Sequence, residues 1–212
     1  MSAQMFNGLK KSTKRFTWYT GYMIKAIIFD CFGVLSTDGW KQIREEYFAR
    51  DEETMRRAMD MDKAVNAGMM SLDEFYAEIA ATSGLSEEEV RKRIDGNSPN
   101  RLLLDFIRDE LKPKFKIGML SNAAANWLGE LFEPEQVKLF DEVLLSYEIG
   151  AVKPEAVMYT TIVARLGMQP EECLFIDDLE RYCEAAKNLG MQAIYHHDTH
   201  DTIAKIKEIV GA

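Results

Sequence analysis

Short apolar runs bounded by polar residues recur along the chain: Ala26-Ile27-Ile28-Phe29, Ile117-Gly118-Met119-Leu120, Val143-Leu144-Leu145, Cys173-Leu174-Phe175-Ile176 and Ala193-Ile194-Tyr195. Runs this short, without polar alternation, read as strands buried on both faces. Between them the apolar positions change to spacings of three, four or seven, as in Leu103, Phe106 and Ile107, in Tyr159, Ile162, Val163 and Leu166, and in Ile203, Ile206 and Val210. Each set marks one apolar face of a helix. Strands alternating with helices imply parallel pairing through crossovers, hence an α/β fold with a doubly wound, Rossmann-like parallel sheet.

One stretch, residues 40–97, breaks the alternation. It shows helical periodicity and no strand pattern, as in Leu72, Phe75, Tyr76 and Ile79. Ser71 with Glu74, and Ser86 with Glu89, have capping-box spacing and predict two helix starts inside it. The expected organisation is an α/β core made of residues 23–39 and 98–212, with a small helical domain, 40–97, inserted after the first strand.

Charge sharpens this picture. The 212 residues carry a net charge of −9 with a pI near 5.0, which argues against nucleic acid or an anionic membrane as partner, because both select a basic face. No window approaches a membrane span. A small diffusible substrate is the better expectation. The segment 1–22 is set apart by Lys10, Lys11, Lys14 and Arg15 and by having no acid. It lacks the apolar region of a secretion signal and reads as a disordered extension or a mis-assigned start, with Met23 as the natural beginning of the fold. Three cysteines, Cys31, Cys173 and Cys183, form neither a disulfide framework nor a CxxC metal site, so a reducing, cytoplasmic setting is expected. Oligomeric state leaves no signature.

In an open parallel sheet, ligands bind beyond the carboxyl ends of the strands. The first run delivers Asp30 followed by Gly33, the second Ser121 and Asn122, and the fourth Asp177 and Asp178, while Lys153 precedes a helix opened by Pro154 and Glu155. Phosphoryl transfer needs an in-line nucleophile, a divalent cation and donors around the phosphate oxygens. Asp30 is the candidate nucleophile, forming an aspartyl phosphate that water then hydrolyses. Asp177, with Asp178 in support, is expected to hold Mg²⁺ through hard oxygen ligands. Ser121, Asn122 and the backbone amides of Cys31, Phe32 and Gly33 are expected around the phosphate oxygens, with Lys153 neutralising charge on nucleophile and phosphoryl group.

Phe29-Asp30-Cys31-Phe32-Gly33-Val34-Leu35, Leu120-Ser121-Asn122, Val152-Lys153-Pro154-Glu155 and Phe175-Ile176-Asp177-Asp178 resemble, in order and spacing, the four motifs of the haloacid dehalogenase superfamily. Gly68-Met69-Met70-Ser71, Ser146-Tyr147-Glu148-Ile149-Gly150 and Glu184-Ala185-Ala186 before Leu189-Gly190 resemble its sugar-phosphatase and epoxide-hydrolase N-domain branch, whose members carry a helical cap after the first motif. The resemblance implies a Mg²⁺-dependent hydrolase of phosphate monoesters acting on a small phosphorylated metabolite, with Asp30, the Phe32 carbonyl, Asp177 and Asp178 at the metal.

Two positions depart from the family's pattern. Phe32 stands where its phosphatases usually carry a second aspartate that protonates the leaving group. Loss of a general acid costs typically about 10² to 10⁴ in rate, least for groups that leave easily, so sugar 1-phosphates, acyl phosphates or aryl phosphates are favoured. An aromatic there also occurs in the dehalogenase branch, so halide release remains an alternative, as does a non-catalytic binder of metal or phosphate. Tyr182 stands where relatives often carry Asn or Asp.

Plainer readings stand beside these. Ser121 could cap a helix starting near Ala123, and Lys153 could be solvated. Cys31 reads as an apolar filler whose backbone alone serves the site. His196, His197 and His200 read as a loop before Asp201, taken as the N-cap of the last helix, rather than as a metal site. Met55, Met59, Met61, Met69 and Met70 read as core of the insert, and Trp40 and Trp127 as packing residues. Substrate choice falls to those of Asp60, Asp62, Lys63, Asn66 and Tyr76 that face the crevice.

Overall fold

All five apolar runs form strands of one sheet: β1 (Ala26–Phe29), β2 (Lys116–Ser121), β3 (Glu142–Leu145), β4 (Cys173–Asp177) and β5 (Gln192–Tyr195). Every pairing is parallel, in the order β3-β2-β1-β4-β5. The computed structural model describes residues 23–211, and the basic segment 1–22 lies outside them.

Between β1 and β2 the chain is helical. α1 (Gly39–Ile43) is prolonged by a π-helical turn, Arg44–Phe48, and followed by α2 (Glu52–Asn66), α3 (Leu72–Ser83), α4 (Glu87–Asp95) and α5 (Arg101–Phe106), itself prolonged by a π-helical turn, Ile107–Leu111. After β2 come two short helices, α6 (Leu128–Leu131) and α7 (Pro134–Val137). Then α8 (Ala156–Leu166), α9 (Glu180–Asn188) and α10 (Thr199–Val210) follow β3, β4 and β5 in turn. Among the described residues no helix is long and apolar enough to cross a membrane.

Strand side chains alternate faces, so β1 feeds two cores. Ile27 and Phe29 pack with Leu103, Ile107 and Ile206 on one face, and Ala26 and Ile28 with Tyr159, Ile162 and Phe175 on the other. A third cluster, including Trp40, Phe48, Phe75, Tyr76, Ile79 and Val90, joins α1 to α4. The two segments connecting this helical group to the sheet run side by side. Thr37 N–H donates to the Ser98 carbonyl (3.0 Å) and Asn100 N–H to that of Leu35 (2.8 Å). The Asn97 carboxamide accepts from Gly39 N–H (2.9 Å) and from the Thr37 hydroxyl (3.1 Å), and donates to the Ile94 carbonyl (2.7 Å). Gly39 has to be glycine, since a Cβ there would meet the Arg93 carbonyl oxygen at 1.9 Å.

Several local expectations shift. Ser71 and Glu74 form the full capping box, but at Ser86 only the hydroxyl side closes, because the Glu89 carboxylate turns to Arg93 (3.0 Å). Asp198, not Asp201, caps α10, accepting from Asp201 N–H at 2.9 Å, which puts His200 inside the first turn. His196 is buried with Nδ1 2.9 Å from the Thr202 hydroxyl. Of the methionine group only Met61 is buried, while Met69 is 73% exposed because it falls in the turn between α2 and α3. No helix starts near Ala123, so Ser121 caps nothing there.

Candidate active site

Because the strands are parallel, their carboxyl ends meet at one edge, and that edge opens into a cleft of about 450 Å³ walled on the far side by α1 to α4. Asp30, Phe32, Ser121, Asn122, Lys153 and Asp178 all line it. Asp30 continues the pairing of β1, its N–H donating to the Ile176 carbonyl (2.8 Å), which fixes its carboxylate at the strand tip.

Lys153 is 2% exposed, which excludes the solvated reading. Its ammonium donates to Asp30 Oδ1 and to Asp177 Oδ2, both at 2.6 Å. Burial drives the Asp30 carboxyl well above the usual range, with Asp177 and Asp178 adding repulsion against the pull of Lys153. Burial likewise raises Asp177, opposed by Lys153. The lysine is the counter-ion that keeps these acids tolerable, and its own pKa rises because the attraction of Asp177 and Asp30 outweighs desolvation. Asp30, Asp177 and Asp178 can each bring one oxygen within 4.8 Å of the others, the only such acid or His/Cys cluster among the described residues.

Some expected contacts are committed elsewhere. Asn122 clasps the backbone of Lys153, its Oδ1 accepting from Lys153 N–H (2.7 Å) and its Nδ2 donating to the Lys153 carbonyl and the Tyr182 hydroxyl (3.3 Å each). Its side chain therefore positions the lysine, and any phosphate contact is left to its backbone. Gly33 N–H donates to the Ser36 carbonyl (2.9 Å), and the residue, at φ 89°, matters for what it lacks: a Cβ would come within 2.6 Å of Asp178 Oδ2. The amides of Cys31 and Phe32 donate to no protein group among the described residues. The Cys31 thiol is buried beside Ser36 and pushed up by burial, as an inert filler would be. Ser121 is buried, its hydroxyl making one long contact (3.3 Å) to the Asn122 carbonyl.

The helical wall brings residues that sequence reasoning missed. Lys41 Nζ donates to Asp178 Oδ2 at 2.8 Å, while Ser146 and Asn66, both named from the sequence, are joined by a 2.6 Å bond from the Ser146 hydroxyl to the Asn66 carbonyl. Arg44, Arg91, Asp95 and Arg181 also line the cleft. Asp62, Asn66 and Tyr76 do so as well, whereas Asp60 and Lys63 do not. Burial lifts the Asp62 carboxyl to about 6, against the pull of Arg44. Trp40 and Trp127, expected only to pack, both line the cleft, with Trp127 tilted against Phe32 at a centroid distance of 4.7 Å. Their basic and aromatic types carry no strand-end signal, so nothing in the pattern singles them out.

A family model described as haloacid dehalogenase-like hydrolase matches residues 24–190. The chain is 27% identical to D-ribitol-5-phosphate phosphatase of Bacteroides thetaiotaomicron, an alignment covering 90% of this chain and all of that one. It is 22% identical to pig bifunctional epoxide hydrolase 2 over 89% of its own length, but spans only 39% of that protein, and 13% of the mouse counterpart. Among solved structures, a haloacid dehalogenase family enzyme from Bacteroides thetaiotaomicron in complex with magnesium and inorganic phosphate superposes with a TM-score of 0.63 at 24% identity, over 84% of this chain and 98% of that one.

Proposed function

Because this chain belongs to the haloacid dehalogenase-like hydrolases, we propose that it is a Mg²⁺-dependent phosphatase of small phosphate monoesters, acting through an aspartyl phosphate on Asp30. The observation that carries this reading is the buried Asp30–Lys153–Asp177 chain with Asp178 beside it, opening into a cleft roomy enough for a small ester. Residues 40–97 serve in it as the cap over that cleft.

In the first step an Asp30 oxygen bonds to phosphorus as the bond to the leaving oxygen breaks. In the second, water attacks the phosphorus of the acyl phosphate, restoring the carboxylate and releasing inorganic phosphate. Lys153 holds Asp30 in place and offsets the charge that builds on the phosphoryl oxygens. Ser121 and the free amides of Cys31 and Phe32 are the donors for those oxygens. Magnesium fits the donor set, since three carboxylates converge and Gly33 leaves room for Asp178 to approach. When bound it would draw negative charge from the phosphoryl group, held by Asp30, Asp177, Asp178 and the Phe32 carbonyl.

Phe32 offers no proton to the departing oxygen, which favours sugar 1-phosphates, acyl phosphates and aryl phosphates, whose leaving oxygens are weak bases. Paired Asp177 and Asp178 speak against a halide-releasing enzyme, whose substrate brings no phosphate requiring a metal. The test is phosphate and halide release by the protein and Asp30→Asn across aryl, acyl and sugar phosphates and 2-haloacids, with Mg²⁺ or chelator. Phosphate release needing both Asp30 and Mg²⁺ is expected. Metal-independent halide release, or silence on every substrate, would overturn it.

A further inference from the structure

Five basic side chains line the cleft: Lys41, Arg44, Arg91, Lys153 and Arg181. Three are paired with acids of the same cleft, Lys153 with Asp30, Lys41 with Asp178, and Arg91 with Asp73 at 2.7 Å. Arg44 and Arg181 make no salt bridge with any carboxylate among the described residues. Each is laid instead against an aromatic ring, Arg44 5.8 Å from the Trp40 centroid and Arg181 4.8 Å from that of Tyr182, whose hydroxyl takes one Arg181 N–H at 3.2 Å. Among the described residues Arg44 makes no side-chain hydrogen bond and Arg181 only that one, so most donors of each guanidinium are free for a carboxylate or phosphate.

The two arginines come from opposite walls. Arg44 follows α1 in the helical insert, and Arg181 lies in the first turn of α9, directly after the Asp177-Asp178 pair. Both line the same cleft, together with Asp62. None of the neighbouring acids forms an ion pair with either of them. Asp73 holds Arg91, Asp95 takes the Tyr76 hydroxyl (2.7 Å), Asp38 Oδ1 caps α1 on Lys41 N–H (2.9 Å), and Asp62 Oδ1 accepts from Asn66 (3.0 Å). Glu130, on α6, also borders the cleft and, like Arg181, is exposed to solvent.

We propose that Arg44 and Arg181 form a second anion subsite, so that the substrate is a phosphate monoester whose leaving group carries a carboxylate or phosphate of its own. The inference rests on the phosphatase reading and narrows it: one anion sits at Asp30 and Lys153, the other between cap and core. Arg44 and Arg181 act there in binding and specificity, away from the reacting phosphorus. Asp62, which lines the same cleft, repels the distal anion when ionised.

The experiment compares matched aryl esters at low ionic strength: para-carbamoylphenyl phosphate, para-carboxyphenyl phosphate and para-phenylene bisphosphate. The two with a distal anion are expected to show kcat/KM at least about tenfold above the neutral ester, since charge-assisted bonds to a guanidinium are of that strength. Whichever anionic ester gains more identifies the distal group. Arg44→Gln and Arg181→Gln should each remove about tenfold of that advantage, chiefly through KM, and the Lys variants should restore part of it. Asp62→Asn should lower KM for the anionic esters at neutral pH. Equal kcat/KM on all three esters, or Arg variants that depress all three alike, would overturn the subsite while leaving the phosphatase intact. If no ester is hydrolysed, the phosphatase reading falls, and calorimetric Kd values for the same three compounds then judge the subsite alone, equal affinities counting against it.

Discussion

Phe32 is the end of an aromatic chain of tilted contacts: its ring centroid lies 4.7 Å from that of Trp127, Trp127 6.3 Å from Phe132, and Phe132 6.2 Å from Phe140. The position from which relatives donate a proton is thus tied into the core by packing. Phe32→Asp should raise kcat on alkyl phosphates by roughly 10- to 100-fold and change aryl phosphates little, because general-acid catalysis matters where the leaving oxygen is basic. The ratio of the two kcat values is the measurement, and an unchanged ratio would refute it. The same variant should lower stability by about 1 kcal/mol, read from the urea midpoint, as the aromatic contact with Trp127 is lost. Asp30, Ser121, Lys153, Asp177 and Asp178 were legible in the sequence because each follows an apolar run or precedes a helix start at the one sheet edge where ligands bind. Lys41, Arg44 and Arg181 were not, since a basic residue on a helix looks the same whether it faces solvent or a cleft. Asn122 was legible as a site residue, but its clasp on Lys153 depends on two loops meeting, which no local pattern encodes.

The five strands were legible as elements because a buried strand has nothing but apolar side chains to show. The short helices α6 and α7 were not, each being a single turn with no room for periodicity. Nor could spacing tell Asp198 from Asp201 as the cap of α10, since both precede the apolar stripe and only the backbone decides which carboxylate meets a free N–H. Capping itself was readable where Ser71 and Glu74 close on one another. The two connections between the sheet and the helical group were invisible to pattern reading, although Asn97 alone ties together Thr37, Gly39 and Ile94. Asn97→Ala should therefore cost about 2 kcal/mol in denaturant unfolding, because it leaves partly buried backbone groups without partners. It should also speed hydrogen exchange at the Gly39 amide more than at the strand amides. Equal acceleration at both sites would mean that Asn97 does not hold the connection.

Taken whole, the protein crowds acids at one sheet edge, and a chain with a net charge of −9 has little long-range attraction to offer an anionic ester. Cation binding should accordingly register in global stability. Mg²⁺ at about a hundred times its Kd should raise the melting temperature by roughly 5 to 10 °C, a response that Asp177→Asn should abolish. Lys41→Met should shift the Mg²⁺ titration to lower concentration, because it removes the ammonium now seated on Asp178. A melting curve indifferent to Mg²⁺ would remove the metal from the account. The fold class was readable from the alternation of apolar runs with helical spacings, whereas the face that the helices between β1 and β2 turn to the sheet was set by contacts such as Ser146 with Asn66, far apart in the chain. The central place of β1 has a last consequence, in time rather than space. Ala26 pairs with Lys116 on one side and with Cys173 on the other, so β1, made before both of its neighbours, is enclosed only once β4 has been made. Until then Ile27 and Ile28 stand unpaired in the nascent chain while the helices of residues 40–97 can already pack on one another, and closure of the sheet, with its long-range pairings, should govern both the pace of folding and the exposure to aggregation.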